Sequence, residues 1–131
     1  MATWQFDLRL IPRYPSDSDG LWPVPEITSL VNTHLHTSLP LGETWADNIR
    51  VYGALDTSCV TLLTLEDGQT EITARLDLRN LTRDLVSKLL ELAHEINGVF
   101  LVVESGRRIE PKLETLLKEI RSSSAYRFVS D

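Results

Sequence analysis

Hydrophobic and polar residues alternate strictly over residues 71–79, and a helical pattern follows directly. Ile72 and Leu76 lie on one side of the alternation, which is typical of a half-buried strand. Over residues 85–96 the apolar positions recur every three or four residues, which predicts a helix that buries one broad face. The apolar run 99–103 is typical of a strand covered on both faces. This stretch therefore predicts strand, helix and strand.

The two ends of this helix carry residue types that helix ends prefer. The side chain of Asn80 or Thr82 can accept the free amide hydrogens of a first turn. At the other end, Asn97-Gly98 supplies the left-handed backbone that ends many helices. We therefore expect the helix to occupy the residues between these two positions.

The rest of the chain predicts further strands and helices. Residues 4–11 alternate as a first strand, residues 27–35 have one apolar helical face, and residues 49–55 alternate again. Pro111 starts a last helix, with four residues predicted to face inward: Leu113, Leu116, Leu117 and Ile120. The final segment, 125–129, fits either a short edge strand or a packed tail.

A β-hairpin is predicted around Asp67-Gly68, because this pair lies between two β-rich runs. If these two residues form the loop, one face of the hairpin becomes consistently inward. The pairs on that face are Leu63 with Ile72, Thr61 with Ala74 and Cys59 with Leu76. The opposite face then receives Val60 and Leu62 beside Thr73 and Arg75.

The order of these elements predicts an α+β fold. It contains a ferredoxin-like β-α-β-β-α-β core with an added strand and a C-terminal helix. We expect a mainly antiparallel sheet with helices packed on one face, unless the last helix covers the second face. With no repeat and no linker in 131 residues, the chain is predicted to be a single globular domain, 1–131. Folds of this kind host many activities, so the fold predicts no function.

Charge and cysteine content narrow the classes of partner and compartment. The formal net charge of −6 disfavours nucleic acid and anionic membrane as partners and favours another protein, in particular a basic one. Cys59 is the only cysteine, which excludes an internal disulfide and fits a reducing compartment. No signal peptide or membrane span is apparent in the sequence, so we expect a cytoplasmic protein.

The sequence favours neither a metal site nor a cofactor. Residues 16–20 with Glu26 resemble the later part of an EF-hand calcium loop, but Pro15 has no side-chain oxygen for the first ligand position. His34 and His36 point in different directions on a helix and cannot share a metal without distortion. We expect no metal and no cofactor.

Catalytic motifs are also missing from the pattern. Cys59 is expected to face inward, where a thiol is inert unless His34 or His94 lies within hydrogen-bonding reach. No nucleophile elbow, phosphate-binding loop or dinucleotide fingerprint is present. The sequence therefore favours a function other than catalysis.

Two sets of residues, all charged except Tyr52, are candidate partner contacts. The first set lies on the sheet face away from the helices: Asp7, Arg9, Tyr52, Arg75, Asp77 and Arg79. This face is either solvated and laced with cross-strand ion pairs, or a docking and homodimer surface. The second set is acidic and lies in or beside loops: Asp17, Asp19 and Glu26, with Glu43, Asp47, Glu66 and Asp67.

We therefore predict a small acidic protein that acts by protein–protein binding, with an inhibitor or immunity-type role toward a basic partner as the narrower hypothesis. The alternative is a small dimeric ferredoxin-like enzyme or ligand-binding domain. Its pocket would lie between sheet and helices and be lined by His34, Cys59, Tyr52 and Arg9. An RNA-binding sheet is disfavoured, because Phe100 stands in an apolar run without flanking charge.

Overall fold

The computed structural model of the chain describes residues 4–13, 20–22, 27–36, 39, 41–42, 48–54, 57–66 and 68–130. Within these ranges the chain forms six strands and four helices. The strands are β1 (Gln5–Pro12), β2 (Ile49–Gly53), β3 (Cys59–Thr64), β4 (Thr70–Asp77), β5 (Gly98–Val102) and β6 (Arg108–Ile109). The helices are α1 (Ile27–Leu35), α2 (Arg83–Glu95), α3 (Leu113–Arg121) and α4 (Ser124–Ser130). The predicted α+β class is confirmed.

The strands form one sheet in the order β2-β3-β4-β1-β5-β6, and every neighbouring pair is antiparallel. Strands β4 and β5 run in the same direction with β1 between them, so β4-α2-β5 is a split βαβ unit. Strands β1 and β2, which flank α1, run in opposite directions and do not form a second such unit. This strand order does not confirm the ferredoxin-like topology.

One apolar core lies between the sheet and the helices α1, α2 and α3. We call the sheet face that borders this core the inner sheet face and the opposite face the outer sheet face. The inner sheet face contributes Phe6, Leu8 and Leu10 from β1, Val60 and Leu62 from β3, Ile72, Ala74 and Leu76 from β4, and Phe100 from β5. Burial of each large apolar side chain stabilises the fold by roughly 1.5–3 kcal/mol. Since Leu116 and Ile120 belong to this core, α3 lies on the inner side of the sheet.

The β3–β4 hairpin has a different register from the predicted one. Thr64 pairs with Thr70, and the backbone N–H of Leu65 donates to the carbonyl of Gln69 at 2.8 Å, so three residues lie between Leu65 and Gln69. Gly68 has φ 87°, the left-handed backbone that three-residue hairpin loops need at this position. The two-residue loop was wrong by one residue.

This difference of one residue reverses the faces of β3, because side chains alternate along a strand. Val60 and Leu62 are buried on the inner sheet face. Cys59, Thr61 and Leu63 lie on the outer sheet face, opposite Arg75, Thr73 and Glu71 respectively. The inward orientation predicted for Cys59, Thr61 and Leu63 is therefore corrected.

The side chain of Tyr52 also lies on the opposite sheet face from the predicted one, because β2 pairs with β3 and its faces follow those of β3. It pairs with Val60 and is 0% exposed, so it does not lie on the outer sheet face as predicted. Its hydroxyl donates to Oδ1 of Asn32 on α1 at 3.2 Å. Burial raises the pKa of the Tyr52 phenol above its ordinary value. Tyr52 thus fixes α1 on the sheet.

The end of β1 shows how part of the outer sheet face becomes covered. Pro12 has no N–H to donate, and Trp22 instead pairs with Thr70 at the end of β4. Gly20 packs so closely on Ile11 that an added Cβ would lie 2.8 Å from its Cγ2. Ile11 is therefore buried although it points away from the helices.

The C-terminal third contains three differences from the prediction. Segment 125–129 is part of α4, because Ser123 Oγ accepts the backbone N–H of Tyr126 and so caps a new helix. Arg108 and Ile109 form the short strand β6, which was not among the predicted elements. Leu113, predicted to face inward, is 50% exposed, whereas Leu116 is fully buried.

Candidate functional site

The charges of the outer sheet face are paired with one another. Arg75 Nε lies 3.1 Å from Oδ1 of Asp7, its direct neighbour across the β1–β4 pair. Arg9 Nε lies 3.4 Å from Oε1 of Glu71, and Arg9 also donates to the carbonyl of Gly20 at 3.2 Å. These four side chains form a cross-strand ladder of alternating charge, which leaves little net charge for a partner.

Asp77 and Arg79 form a second paired unit at the end of β4. The Asp77 carboxylate accepts hydrogen bonds from Nε of Arg79 at 3.1 Å, from Nη2 at 3.0 Å and from its backbone N–H at 2.9 Å. The hydrogen bonds from the Arg79 side chain hold the pKa of Asp77 below its ordinary value, although burial acts in the opposite direction. The guanidinium also lies 3.8 Å from the ring centroid of Trp4.

Five of the predicted contact residues on this face therefore already have partners within the chain: Asp7, Arg9, Arg75, Asp77 and Arg79. The solvated, ion-paired alternative fits these contacts better than a charged docking surface. The predicted loop residues Asp17, Asp19, Glu26, Glu43, Asp47 and Asp67 lie outside the described residues. Glu66 is described and exposed.

The predicted pocket of His34, Cys59, Tyr52 and Arg9 does not form. His34 and Tyr52 lie on the helix side of the sheet, and Cys59 and Arg9 lie on the outer sheet face. These two pairs are separated by the sheet itself. The four side chains cannot contact one ligand.

Cys59 is buried and lines a cleft of about 210 Å³ on the outer sheet face. Burial raises the pKa of its thiol, and the effects of Thr61 and Arg75 only partly oppose this rise. No hydrogen bond joins Cys59 to a histidine among the residues with described positions. No described histidine is therefore placed to activate Cys59 as a nucleophile.

Two further observations concern metals and membranes. In the described part of the chain, no group of three or more His, Cys, Asp or Glu side chains is arranged to hold a metal ion. No helix in that part is long and apolar enough to cross a membrane.

A polar pocket of about 470 Å³ lies where the β2–β3 turn meets the start of α2. We call it the sheet-end pocket. Leu39, Leu41 and Leu85 line its apolar part, and Ser58, Asp77 and Thr82 line its polar part. The Ser58 hydroxyl accepts the backbone N–H of Asp77 at 2.9 Å, and Thr82 Oγ1 caps α2 by accepting the N–H of Leu85 at 3.2 Å. Most of its polar groups are thus engaged within the fold.

An apolar groove of about 470 Å³ lies between α2 and α3. We call it the α2–α3 groove. Leu81, Val86 and Leu90 line one wall, and Leu113 and Leu117 line the other. Val86 and Leu90 are four residues apart on α2, and Leu113 and Leu117 are four residues apart on α3, so each pair lies along one line of its helix surface. They extend the two apolar stripes beyond the line where α2 and α3 touch.

Leu113 is the most exposed of these side chains, at 50% of its surface. On the same helix, Leu116 and Ile120 are buried in the core and hold α3 in place. The wall formed by α2 is also held in place at both ends of that helix. Thr82 caps its first turn, and Asn97, with φ 55°, follows its last turn. The groove is therefore a preformed apolar surface on two anchored helices.

Basic residues outnumber acidic ones around the groove, five to three among the exposed and half-exposed residues of segments 81–91 and 112–121. Arg83 lines it at the start of α2. On α3, Arg121 lies one turn beyond Leu117 in the same row, and Lys112 and Lys118 are exposed elsewhere on the same segment. The exposed acids of the two segments are Glu114 on α3 and Asp84 and Glu91 on α2. This local excess of positive charge contrasts with the net charge of the chain.

Sequence reasoning missed this groove because it assigned every apolar residue of a helical stripe to the core. The stripe of α3 and the flanking residues Leu81 and Leu90 together are wider than one helix contact can bury. An apolar stripe of this width is the feature of the sequence that could have indicated the groove.

Comparisons with protein-family models, with curated proteins and with solved structures found no match. Function is therefore inferred from the geometry of the chain itself.

Proposed function

We propose that this protein acts by binding another protein, and that the α2–α3 groove is the contact site. The observation that carries the proposal is the half-exposed Leu113 beside Leu117 and Leu90, in a groove that the fold leaves unfilled. Contiguous apolar surface on a folded protein is typical of interaction sites. The outer sheet face is a weaker candidate, because its charges are already paired.

The groove has the properties of an interface centre rather than of a rim. Its side chains are aliphatic and its walls are held by the core, so a partner side chain that enters it loses water without rearranging the groove. Each square ångström of apolar surface removed from water contributes about 25 cal/mol. An inserted apolar side chain of the partner would therefore act as an anchor.

The formal net charge of −6 supports the narrower hypothesis of an inhibitor or immunity-type protein for a basic partner, because long-range attraction accelerates association. The acidic loop residues would supply this attraction. Contact at the groove depends on different, local charges.

A crosslinking experiment tests the proposed site. A photoreactive amino acid replaces Ser87, which lines the groove, and in a separate variant replaces Glu95, which is exposed at the end of α2. We expect an adduct in native cells from position 87 and none from position 95. The crosslinked protein is identified, purified and titrated against the wild-type chain.

The titration uses two matched leucine variants. Leu113 and Leu41 are exposed to 50% and 48%, and only Leu113 lines the groove. We expect Leu113→Ser to weaken binding by at least about tenfold, or 1.4 kcal/mol, and Leu41→Ser to leave it unchanged. Equal affinity of the wild type and Leu113→Ser would refute the proposed site.

Ligand binding in the sheet-end pocket is a second candidate. It is favoured by a cavity that combines the leucines Leu39, Leu41 and Leu85 with the carboxylate-bearing Asp77. A thermal-shift screen with small amines and amino alcohols tests it, using Leu41→Ser as the variant that should lose any shift. If no compound raises the Tm of the wild type, this candidate is rejected.

A further inference from the structure

We infer that the occupant of the α2–α3 groove is an amphipathic α-helix of a partner protein, with aspartate or glutamate beside its apolar stripe. This inference rests on the proposed function and adds the chemistry of the partner. It follows from three properties of the groove: its dimensions, the residues of its walls and the charges around it.

The dimensions fit a helix. On α2 the lining runs from Arg83 to Leu90, seven residues apart, which spans about 10 Å along the helix axis at 1.5 Å per residue. A docked helix that presents anchors at positions i, i+3 or i+4 and i+7 covers the same distance. Two turns of a partner helix therefore match the length of the wall.

The walls disfavour the other common modes of peptide recognition. A β-strand needs free N–H and C=O groups at a sheet edge, but helix walls have these groups bonded internally. A polyproline segment docks against aromatic side chains, and none of the described residues that line the groove is aromatic. An aliphatic groove between two helices is suited to the apolar face of a third helix.

The local charges indicate the polar residues of that helix. At physiological ionic strength, exposed charges are screened beyond about 8 Å, so the residues beside the groove matter more than the net charge of the chain. Neither Arg83 nor Arg121 forms an ion pair within the described ranges. The nearby Lys88 is compensated by Glu91 at 3.7 Å. Carboxylates beside the partner's apolar stripe would meet Arg83 on the α2 wall and Arg121 in the row of Leu117 on α3.

The same charges argue against two other occupants. A second copy of this chain would bring together two surfaces with the same excess of basic residues, which is unfavourable. An anionic membrane would satisfy the charges, but binding at a lipid surface needs a projecting apolar face. Here the leucines line a groove, and only Leu113 is half exposed. A partner helix satisfies both the charge and the shape.

Fluorescence anisotropy with synthetic helices tests the inference. Two labelled peptides of about 18 residues, long enough to be helical, share one leucine stripe and carry either glutamate or lysine beside it. At low salt we expect the glutamate peptide to bind at least about tenfold more tightly than the lysine peptide, with a smaller ratio as salt is added. In the double variant Arg83→Glu/Arg121→Glu this preference should disappear or reverse. Arg50→Glu, an exposed substitution on β2, serves as the charge control and should leave it unchanged.

The outcomes separate the inference from the proposed function. Equal binding of both peptides, weakened by Leu113→Ser in each case, would keep the groove as the site and overturn the acidic partner. Binding of neither peptide, or preferential binding of anionic lipid vesicles, would overturn the helical occupant and leave the site to the crosslinking test. Binding of the glutamate peptide that Leu113→Ser does not weaken would exclude the groove and contradict both.

Discussion

The outer sheet face and the α2–α3 groove occupy opposite sides of the same core. Of these two surfaces, only the outer sheet face was a candidate binding surface in the sequence. On the outer sheet face, Asp7 and Arg9 pair with Arg75 and Glu71 across the strands. In the groove, Leu113 remains half exposed. The difference shows that exposed charge becomes internally satisfied, whereas exposed apolar surface remains open to a partner.

The geometry of sheets and helices explains this difference. Neighbouring strands hold opposed side chains about 4.5–5.5 Å apart, so an acid and a base on adjacent strands meet as soon as the sheet forms. Two helices are cylinders that touch along one line, and side chains on either side of that line remain uncovered. A sheet face therefore tends to satisfy its own charges, and a helix pair with wide apolar stripes leaves a groove.

The largest difference is expected between two leucines three residues apart on α3. Leu116 is fully buried and Leu113 is half exposed. We expect Leu116→Ala to lower the free energy of unfolding by about 2–5 kcal/mol. Leu113→Ala should lower it by less than about 1 kcal/mol, because the side chain is half exposed in the folded state. Urea titrations followed by circular dichroism measure both values.

A volume-conserving variant, Leu116→Met, is the control and should cost less than about 1.5 kcal/mol. Similar losses for the two alanine variants would mean that Leu113 belongs to the core, and the groove would then lose its role as a free surface.

The next largest effect is expected on the outer sheet face. The Asp7 side chain is only 10% exposed and contacts Arg75 at 3.1 Å, so Asp7→Ala should lower the free energy of unfolding by about 1.5–3 kcal/mol. The more exposed partner of Arg9 provides the comparison, and Glu71→Ala should cost less than about 1 kcal/mol. Both variants should bind the groove partner as the wild type does. Loss of partner affinity in either variant, at unchanged stability, would restore the outer sheet face as a contact site.

The Asp77–Arg79 pair should produce a pH dependence of stability. Because the pKa of Asp77 is lowered in the folded protein, its contribution is present above the pKa of the unfolded chain, near about pH 4, and is lost as pH falls through the folded value. We expect wild-type stability to fall more steeply below about pH 4 than that of Asp77→Asn. Arg79→Gln, which removes the guanidinium donors, should likewise reduce the fall in stability below about pH 4. Parallel curves for all three proteins would show that this pair does not hold the carboxylate ionised.

The smallest effect is expected at Cys59. Burial raises the pKa of its thiol and shields it, so its native reaction with Ellman's reagent at pH 8 should be at least about tenfold slower than that of the urea-unfolded chain. Cys59→Ala should change the free energy of unfolding by about 1 kcal/mol or less and leave partner binding unchanged. Fast labelling of the folded protein would mean that the cleft is open and that the thiol is available for chemistry.

Much of the fold could be predicted because it depends on local patterns. The alternation in β4, the apolar face of α2 and the ends of α2 at Thr82 and Asn97 are determined by nearby residues, and the structure confirms each of them. The hairpin register depends instead on whether the loop contains two or three residues. The pair Asp67-Gly68 is compatible with both loop lengths. The length that forms decides which side chains of β3, and whether Tyr52 of β2, point toward the helices.

The candidate site was harder to predict, because it depends on how two helices are placed side by side. Leu113 and Leu116 look equivalent in a helical pattern, and only the position of α3 against α2 decides which one is buried. The pairing of Asp7 with Arg75 likewise needs the β1–β4 register, which no local pattern contains. Tertiary placement therefore decides which polar and apolar residues remain available.

Amide chemical-shift mapping on the isotope-labelled chain compares the two surfaces within one experiment. On addition of the glutamate-flanked helical peptide, we predict that the largest shifts fall at residues 81–91 and 112–121, while β3 and β4 keep their free-state signals. Shifts concentrated at residues 59–64 and 70–77, with the two helices unaffected, would place the partner on the outer sheet face and refute the groove.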